Sequence, residues 1–192
     1  MADGIAAPVS SYCEVARTHP VHGPYHDREY GFPVRDDAVL LERLALEINQ
    51  AGLSWLTILK KRAAFTAAFD GFDPEIVARY GAAERARLLS DAGIVRNRLK
   101  VDSVIANAQR VLELRESHGS FAGWLDAHHP RDRDAWCRLF KKTFRFTGGE
   151  IVGEFLLSTG YLPGAHRPDC PVYAEVEAAG PPWRRPHDAA PE

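Results

Sequence analysis

From Asp36 onward the apolar positions recur every three or four residues. Leu40, Leu41, Leu44 and Ile48 form one stripe, the spacing of a helix with one buried face. Asp36 or Asp37 can cap its free N–H groups, and Gly52 breaks the run. Ser54 can cap a second helix, with Trp55, Ile58, Leu59, Phe65 and Phe69 on its inner face. Asp73-Pro74-Glu75 reads as cap, first helical residue and acidic first turn of a short third helix. Another helix ends at Leu88-Leu89, and Asp91-Ala92-Gly93 supplies a tight turn. A long helix then covers about 96–117, with Val101, Val104, Ile105, Ala108 and Leu112 inward. Helices over about 121–128, 133–142 and 149–159 complete the pattern. No convincing strand alternation or repeat interrupts it, so the predicted fold class is all-α.

The ends read differently. Residues 1–10 are small and polar, and 174–192 are rich in Ala, Pro and charge. Both are expected to be flexible tails flanking one domain over 11–173. A chain of 192 residues can bury a real core in one such domain. Lys and Arg total 24 against 26 for Asp and Glu, giving a net charge of −2. That balance argues against a general polyanion binder and leaves local patches open. There is no apolar run long enough for a membrane span and no signal-peptide pattern at the start. Three cysteines, an odd number, speak against a disulfide framework. A cytoplasmic location is the default expectation.

Chemistry concentrates in four places. Glu47 lies on or beside the first helix's apolar stripe, just before the turn that leads to Trp55. Taken alone it is either a structural carboxylate bonded to backbone or arginine, or a pocket carboxylate facing a ligand on which Trp55 stacks. Cys13 and His26, with His166 and Cys170, have the composition of a closed structural zinc site, or are two buried thiols and surface imidazoles. If metal joins them, the two ends of the chain are fastened together. Cys137, near Phe140 on the apolar side of its helix, reads as a core thiol. The run 88–100 reads as a helix–hairpin–helix whose second helix offers N–H groups to a DNA phosphate, with Arg96, Arg98 and Lys100 adding charge. Lys60-Lys61-Arg62 and Lys141-Lys142 add local basic patches, and an ordinary αα-corner is the other reading. Tyr25, beside His26, can form an aromatic wall opposite Trp55 or simply pack an N-terminal arm.

In order and separation these segments resemble the DNA-3-methyladenine glycosylase I family. The matching pieces are Tyr-His-Asp-x-Glu (25–29), Gln-Ala-Gly-Leu-Ser-Trp (50–55) and Leu-Lys-Lys-Arg (59–62). Asp-x-Gly-Ile-Val-Arg-x-Arg-x-Lys (91–100) and His-x-x-x-Cys (166–170) follow. The resemblance implies an all-α helix–hairpin–helix glycosylase, its ends joined by a structural zinc on Cys13, His26, His166 and Cys170. It implies that Glu47 hydrogen-bonds the flipped base as the catalytic-site carboxylate, with Trp55 and Tyr25 stacking on it. Leu53 becomes a wedge filling the gap in the duplex, and the hairpin with Gly93, Arg96, Arg98 and Lys100 grips the backbone. The partner is duplex DNA containing alkylated bases, the enzyme is a monomer, and hydrolysis proceeds without strand cleavage because no lysine stands out as a nucleophile.

The sequence also departs from the family pattern. Val15 stands where a Trp is common, and Tyr30 interrupts the usual Glu-Trp-Gly. Near the C-terminus, Glu150, Gly153, Leu157, Gly164 and Ala165 replace the family's Thr, Tyr, Gln, Asn and Asp. Gly153 is expected to open space for a bulkier or different alkylpurine, and a catalytically silent lesion-binding protein is the rival from another class.

Overall fold

The computed structural model describes residues 12–185. Its α-helices are α1 (Tyr12–Ala16), α2 (His22–Arg28), α3 (Asp37–Gln50), α4 (Trp55–Ala68), α5 (Pro74–Val77) and α6 (Ala82–Ser90). They continue with α7 (Arg98–His118), α8 (Phe121–His128), α9 (Arg133–Thr143), α10 (Gly149–Ser158) and α11 (Tyr173–Ala178). No strand occurs among the described residues, as the all-α reading requires.

The hub is α3, which packs against α4, α7, α8 and α10. Leu40, Leu41, Leu44 and Ile48 are all fully buried on it, and burial of each contributes about 1.5–3 kcal/mol. The Asp36 carboxylate caps the helix by accepting from the Ala38 and Val39 N–H groups. Asp37 turns inward and accepts from Arg115 Nε at 2.6 Å and from the Phe121 N–H at 2.8 Å. One side chain thereby ties the start of α3 to the end of α7 and the start of α8.

Helix α7 buries Val101, Val104, Ile105 and Ala108 as expected, but Val111 and Leu114 complete the stripe and Leu112 is only half-buried. The long helix meets α3, α5, α6 and α8 on different sides, so its buried face drifts along its length. Behind α10 lies an aromatic layer from α8, α9 and α10, with the Phe121 and Phe155 rings stacked at 5.8 Å. That layer fixes the helix forming one wall of the site described below.

Residues 1–10 lie outside the described residues. The expectation of a loose tail from 174 is corrected over 174–185. There α11 buries Val176, the Trp183 N–H donates to the Gly160 carbonyl at 3.1 Å, and Arg185 reaches Asp126 at 3.1 Å. Val172 and Val176, one turn apart and both buried, supply the apolar grip that the Ala-, Pro- and charge-rich composition hides. Helices α1 and α2 were also unforeseen; at five and seven residues they are too short to show periodicity.

Candidate active site

A cavity of about 870 Å³ opens among α1, α2, α3, α4 and α10. Glu47 lies on its α3 wall at 5% exposure, one turn past Arg43, and Gly52 (φ 82°) turns the chain toward Trp55 on α4. Ser54 caps α4 by accepting from the Thr57 N–H at 3.2 Å, which fixes the indole on the first turn. Tyr25 stands edge-on to Trp55, ring centroids 5.3 Å apart and planes at 63°. The two rings therefore form a corner, not a parallel slot. Tyr12, from α1, completes the aromatic lining and touches Tyr30 at 5.1 Å between centroids.

The cavity is negatively biased. Burial pushes the Glu47 carboxyl up to about 8, with Glu154 adding to the rise and Arg43 opposing it. Glu154, on α10, faces the same cavity, accepts a hydrogen bond from the Tyr30 hydroxyl at 3.2 Å, and is likewise raised by burial. Neither carboxylate has an ion-pair partner among the described residues. The buried Arg43 guanidinium sits 4.9 Å over the Tyr25 ring, and its ion pair goes to Glu29. Glu29 also takes Arg62 Nη1 at 2.7 Å, and Arg62 bonds Glu42 at 2.7 Å. This network locks the segment after α2 against α3 and α4.

Beside the cavity, Cys13, His26, His166 and Cys170 bring one donor atom each to within 4.8 Å of one another. Cys13 Sγ is 3.8 Å from His166 Nδ1, and Cys170 Sγ is 3.8 Å from His26 Nε2 and 3.6 Å from His166 Nδ1. A tetrahedral zinc with ordinary bond lengths separates sulfur and nitrogen ligands by about 3.6 Å. The remaining ring nitrogens are engaged outward: His26 Nδ1 with Asp27 at 2.6 Å, and His166 Nε2 with the Tyr30 carbonyl at 2.7 Å. That arrangement aims the free nitrogens inward. Cys137 is apart from the cluster and half-buried, its Sγ 3.8 Å from the Gly149 carbonyl.

The segment joining α6 to α7 runs past the α3–α4 turn. Leu53 is 40% exposed at the tip of that turn, beside the cavity-lining Gln50, Ala51 and Gly52. Arg96 is exposed, and Arg98 points outward near Asp102 at 3.7 Å. Lys100 corrects the expected phosphate contact: at 6% exposure, its Nζ donates to the carbonyls of Asn49 at 2.9 Å and Ala51 at 2.7 Å. Lys61 does the converse, donating to the Ala92 and Gly93 carbonyls at 3.0 and 3.1 Å. With Arg62 also committed inward, only Lys60 of that basic triplet stays exposed. Gly93 is required sterically, since a Cβ there would fall 3.0 Å from the Ala64 Cβ. Its N–H is taken by Asp91 at 2.7 Å.

A family profile described as "Methyladenine glycosylase" matches residues 15–136. The chain belongs to the methyladenine glycosylase family. It is 34% identical to DNA-3-methyladenine glycosylase 1 of Escherichia coli K12, over 84% of this chain and 96% of that protein. It is 30% identical to DNA-3-methyladenine glycosylase of Haemophilus influenzae, over 85% and 98%. Among solved structures, a variant of 3-methyladenine DNA glycosylase I in complex with 3-methyladenine superposes with a TM-score of 0.76 at 34% identity, covering 84% and 96%. The Staphylococcus aureus 3-methyladenine DNA glycosylase I also gives 0.76, at 35% identity, covering 85% and 97%.

For a methyladenine glycosylase, two departures resolve unexpectedly. Gly153 does not open the cavity: the Arg133 guanidinium occupies that space, within 2.7–2.8 Å of where a Cβ would stand, and Arg133 pairs with Glu150 at 3.0 Å. The bulkier-substrate expectation loses the feature that motivated it. Tyr30 instead acts with Glu154, which the sequence reading passed over along with Tyr12 and Arg43. A signal for Glu154 existed, because Glu150, Glu154 and Leu157 share a face of α10 at helical spacing, and all three line the cavity.

Proposed function

We propose that this protein is a DNA-3-methyladenine glycosylase, hydrolysing the N-glycosidic bond of 3-methyladenine in duplex DNA. The observation that carries the reading is Glu47, a buried carboxylate without an ion-pair partner, facing an aromatic-lined cavity in a chain of this family. An N3-methylated adenine nucleotide is cationic and too deep in the duplex to react, so it must be flipped out. The Trp55 and Tyr25 rings receive the cation by cation–π attraction. Glu47, held protonated by burial in the empty cavity, gives up its proton as the positive base arrives and then accepts a hydrogen bond from it. Bond cleavage sends the N9–C1′ electrons into the purine ring and cancels its charge. Water oxygen bonds to C1′, and its proton leaves to solvent. No lysine lines the cavity among the described residues, which supports hydrolysis without a Schiff base or strand cleavage.

The α6–turn–α7 unit is proposed as the helix–hairpin–helix that holds the DNA backbone, with Arg96 and Arg98 supplying charge and Leu53 the wedge. Cys13, His26, His166 and Cys170 fit a structural zinc, which would join the ends of the fold while four protein ligands complete its coordination. The reading includes a monomer acting in the cytoplasm, in keeping with three cysteines that form no disulfide.

Release of free 3-methyladenine from methylated duplex DNA tests the function, and a protein that releases no alkylated base overturns it. Glu47→Gln is expected to lower release at least 100-fold, about 2.7 kcal/mol of transition-state stabilisation, with zinc content retained.

A further inference from the structure

The α10 wall of the cavity has an unusual polar inventory. On α10 and the loop that follows it, Leu157, Gly164 and Ala165 are apolar, Glu150 and Arg167 are exposed, and the polar group set between apolar neighbours is the half-buried Glu154. Its carboxylate is fixed by the Tyr30 hydroxyl at 3.2 Å, on the Oε2 oxygen. Oε1 has no hydrogen bond among the described residues, and the group forms no ion pair there, although the Arg133 charge partly offsets its own. Arg133 is held by Glu150, and Arg167, which lines the cavity, is held by Glu14 and by Asp169 at 2.7 Å. A base entering the cavity therefore meets acceptors on two walls, Glu47 on α3 and Glu154 on α10.

The purines differ in how they can answer this. Adenine concentrates its donors on one exocyclic amino group, whereas guanine carries N1–H and a 2-amino group side by side on one edge. Paired parallel donors suit a carboxylate, and a half-buried carboxylate without an ion-pair partner is relieved most by a positively charged one. Alkylation of guanine at N7 supplies that charge and leaves the donor edge free. Alkylation at N3 crowds the 2-amino group.

We propose that Glu154 is a specificity-determining residue that reads the donor edge of N7-alkylated guanine, so that the cavity releases this base as well as 3-methyladenine. The proposal rests on the glycosylase reading above. The reaction balances as before: water oxygen bonds to C1′, the N9–C1′ electrons neutralise the imidazolium, and the water proton goes to solvent.

The test is single-turnover release of 7-methylguanine and 3-methyladenine from duplex DNA by the full-length protein, beside Glu154→Gln. Glutamine keeps an oxygen for Tyr30 but replaces the second acceptor with a donor. Release of both bases by the wild type is expected, with the ratio of 7-methylguanine to 3-methyladenine rates falling at least tenfold in the variant. Because the readout is a ratio within one preparation, partial loss of folded protein does not move it. Release of 3-methyladenine without 7-methylguanine by the wild type, or an unchanged ratio in Glu154→Gln, overturns the role of Glu154. Release of neither base overturns the glycosylase reading itself.

Discussion

At the scale of single residues, Glu47 carries a cost that protein stability should report. Its carboxyl is raised from an ordinary 4.5 to about 8, so the native state binds this proton more tightly than the unfolded chain. The sign follows from linkage: stability is undiminished below about 4.5 and is lost as pH rises toward 8. The full displacement corresponds to at most about 5 kcal/mol. Glu47→Gln is therefore expected to match the wild type near pH 4.5 and to gain roughly 2–4 kcal/mol at pH 8, read from denaturant unfolding at both values. A wild-type pH slope retained in the variant would contradict this origin. Glu47 and Trp55 were legible in the sequence because both stand in register with an apolar stripe and flank a glycine break. Lys100 was misread for a physical reason. A lysine after a turn looks the same in sequence whether its ammonium meets solvent or folds back onto helix-terminal carbonyls, and here it folds back.

Helices with strong caps and long stripes, such as α3, α4 and α7, could be placed from sequence. Helices α1, α2 and α11 depend on tertiary contacts and could not. Their relation across turns was equally hidden, since the α3–α4 turn is held by a lysine of α7 and the α6–α7 turn by a lysine of α4. These reciprocal ties make the proposed wedge and the proposed backbone grip one mechanical unit. Lys100→Met leaves the Asn49 and Ala51 carbonyls without this donor and is expected to destabilise the fold by about 1–3 kcal/mol. Excision from duplex DNA should fall more than binding of free 3-methyladenine, because the grip and wedge matter only for DNA. Equal losses in both measurements would reduce Lys100 to a purely structural role.

Over the whole molecule, the thiol–imidazole clasp connects residues far apart in the chain, and its partners are residues of the cavity wall. Cys13 follows Tyr12, His26 follows Tyr25, and His166 holds the Tyr30 carbonyl. Removing the proposed zinc should therefore loosen the wall along with the ends. About one zinc per chain is expected by elemental analysis, and a strong chelator should lower both the Tm and the affinity for free 3-methyladenine. Cys170→Ser should reproduce the loss and make the protein indifferent to the chelator. A zinc-free preparation with unchanged Tm and affinity would refute the assignment. The clasp also orders events in time. During synthesis, α3, α4 and the α6–α7 hairpin leave the ribosome well before His166 and Cys170, so on the proposed reading a nascent chain would hold its DNA-facing elements before it has a braced place to put a base. Base recognition would then be acquired later than the proposed grip on the DNA backbone.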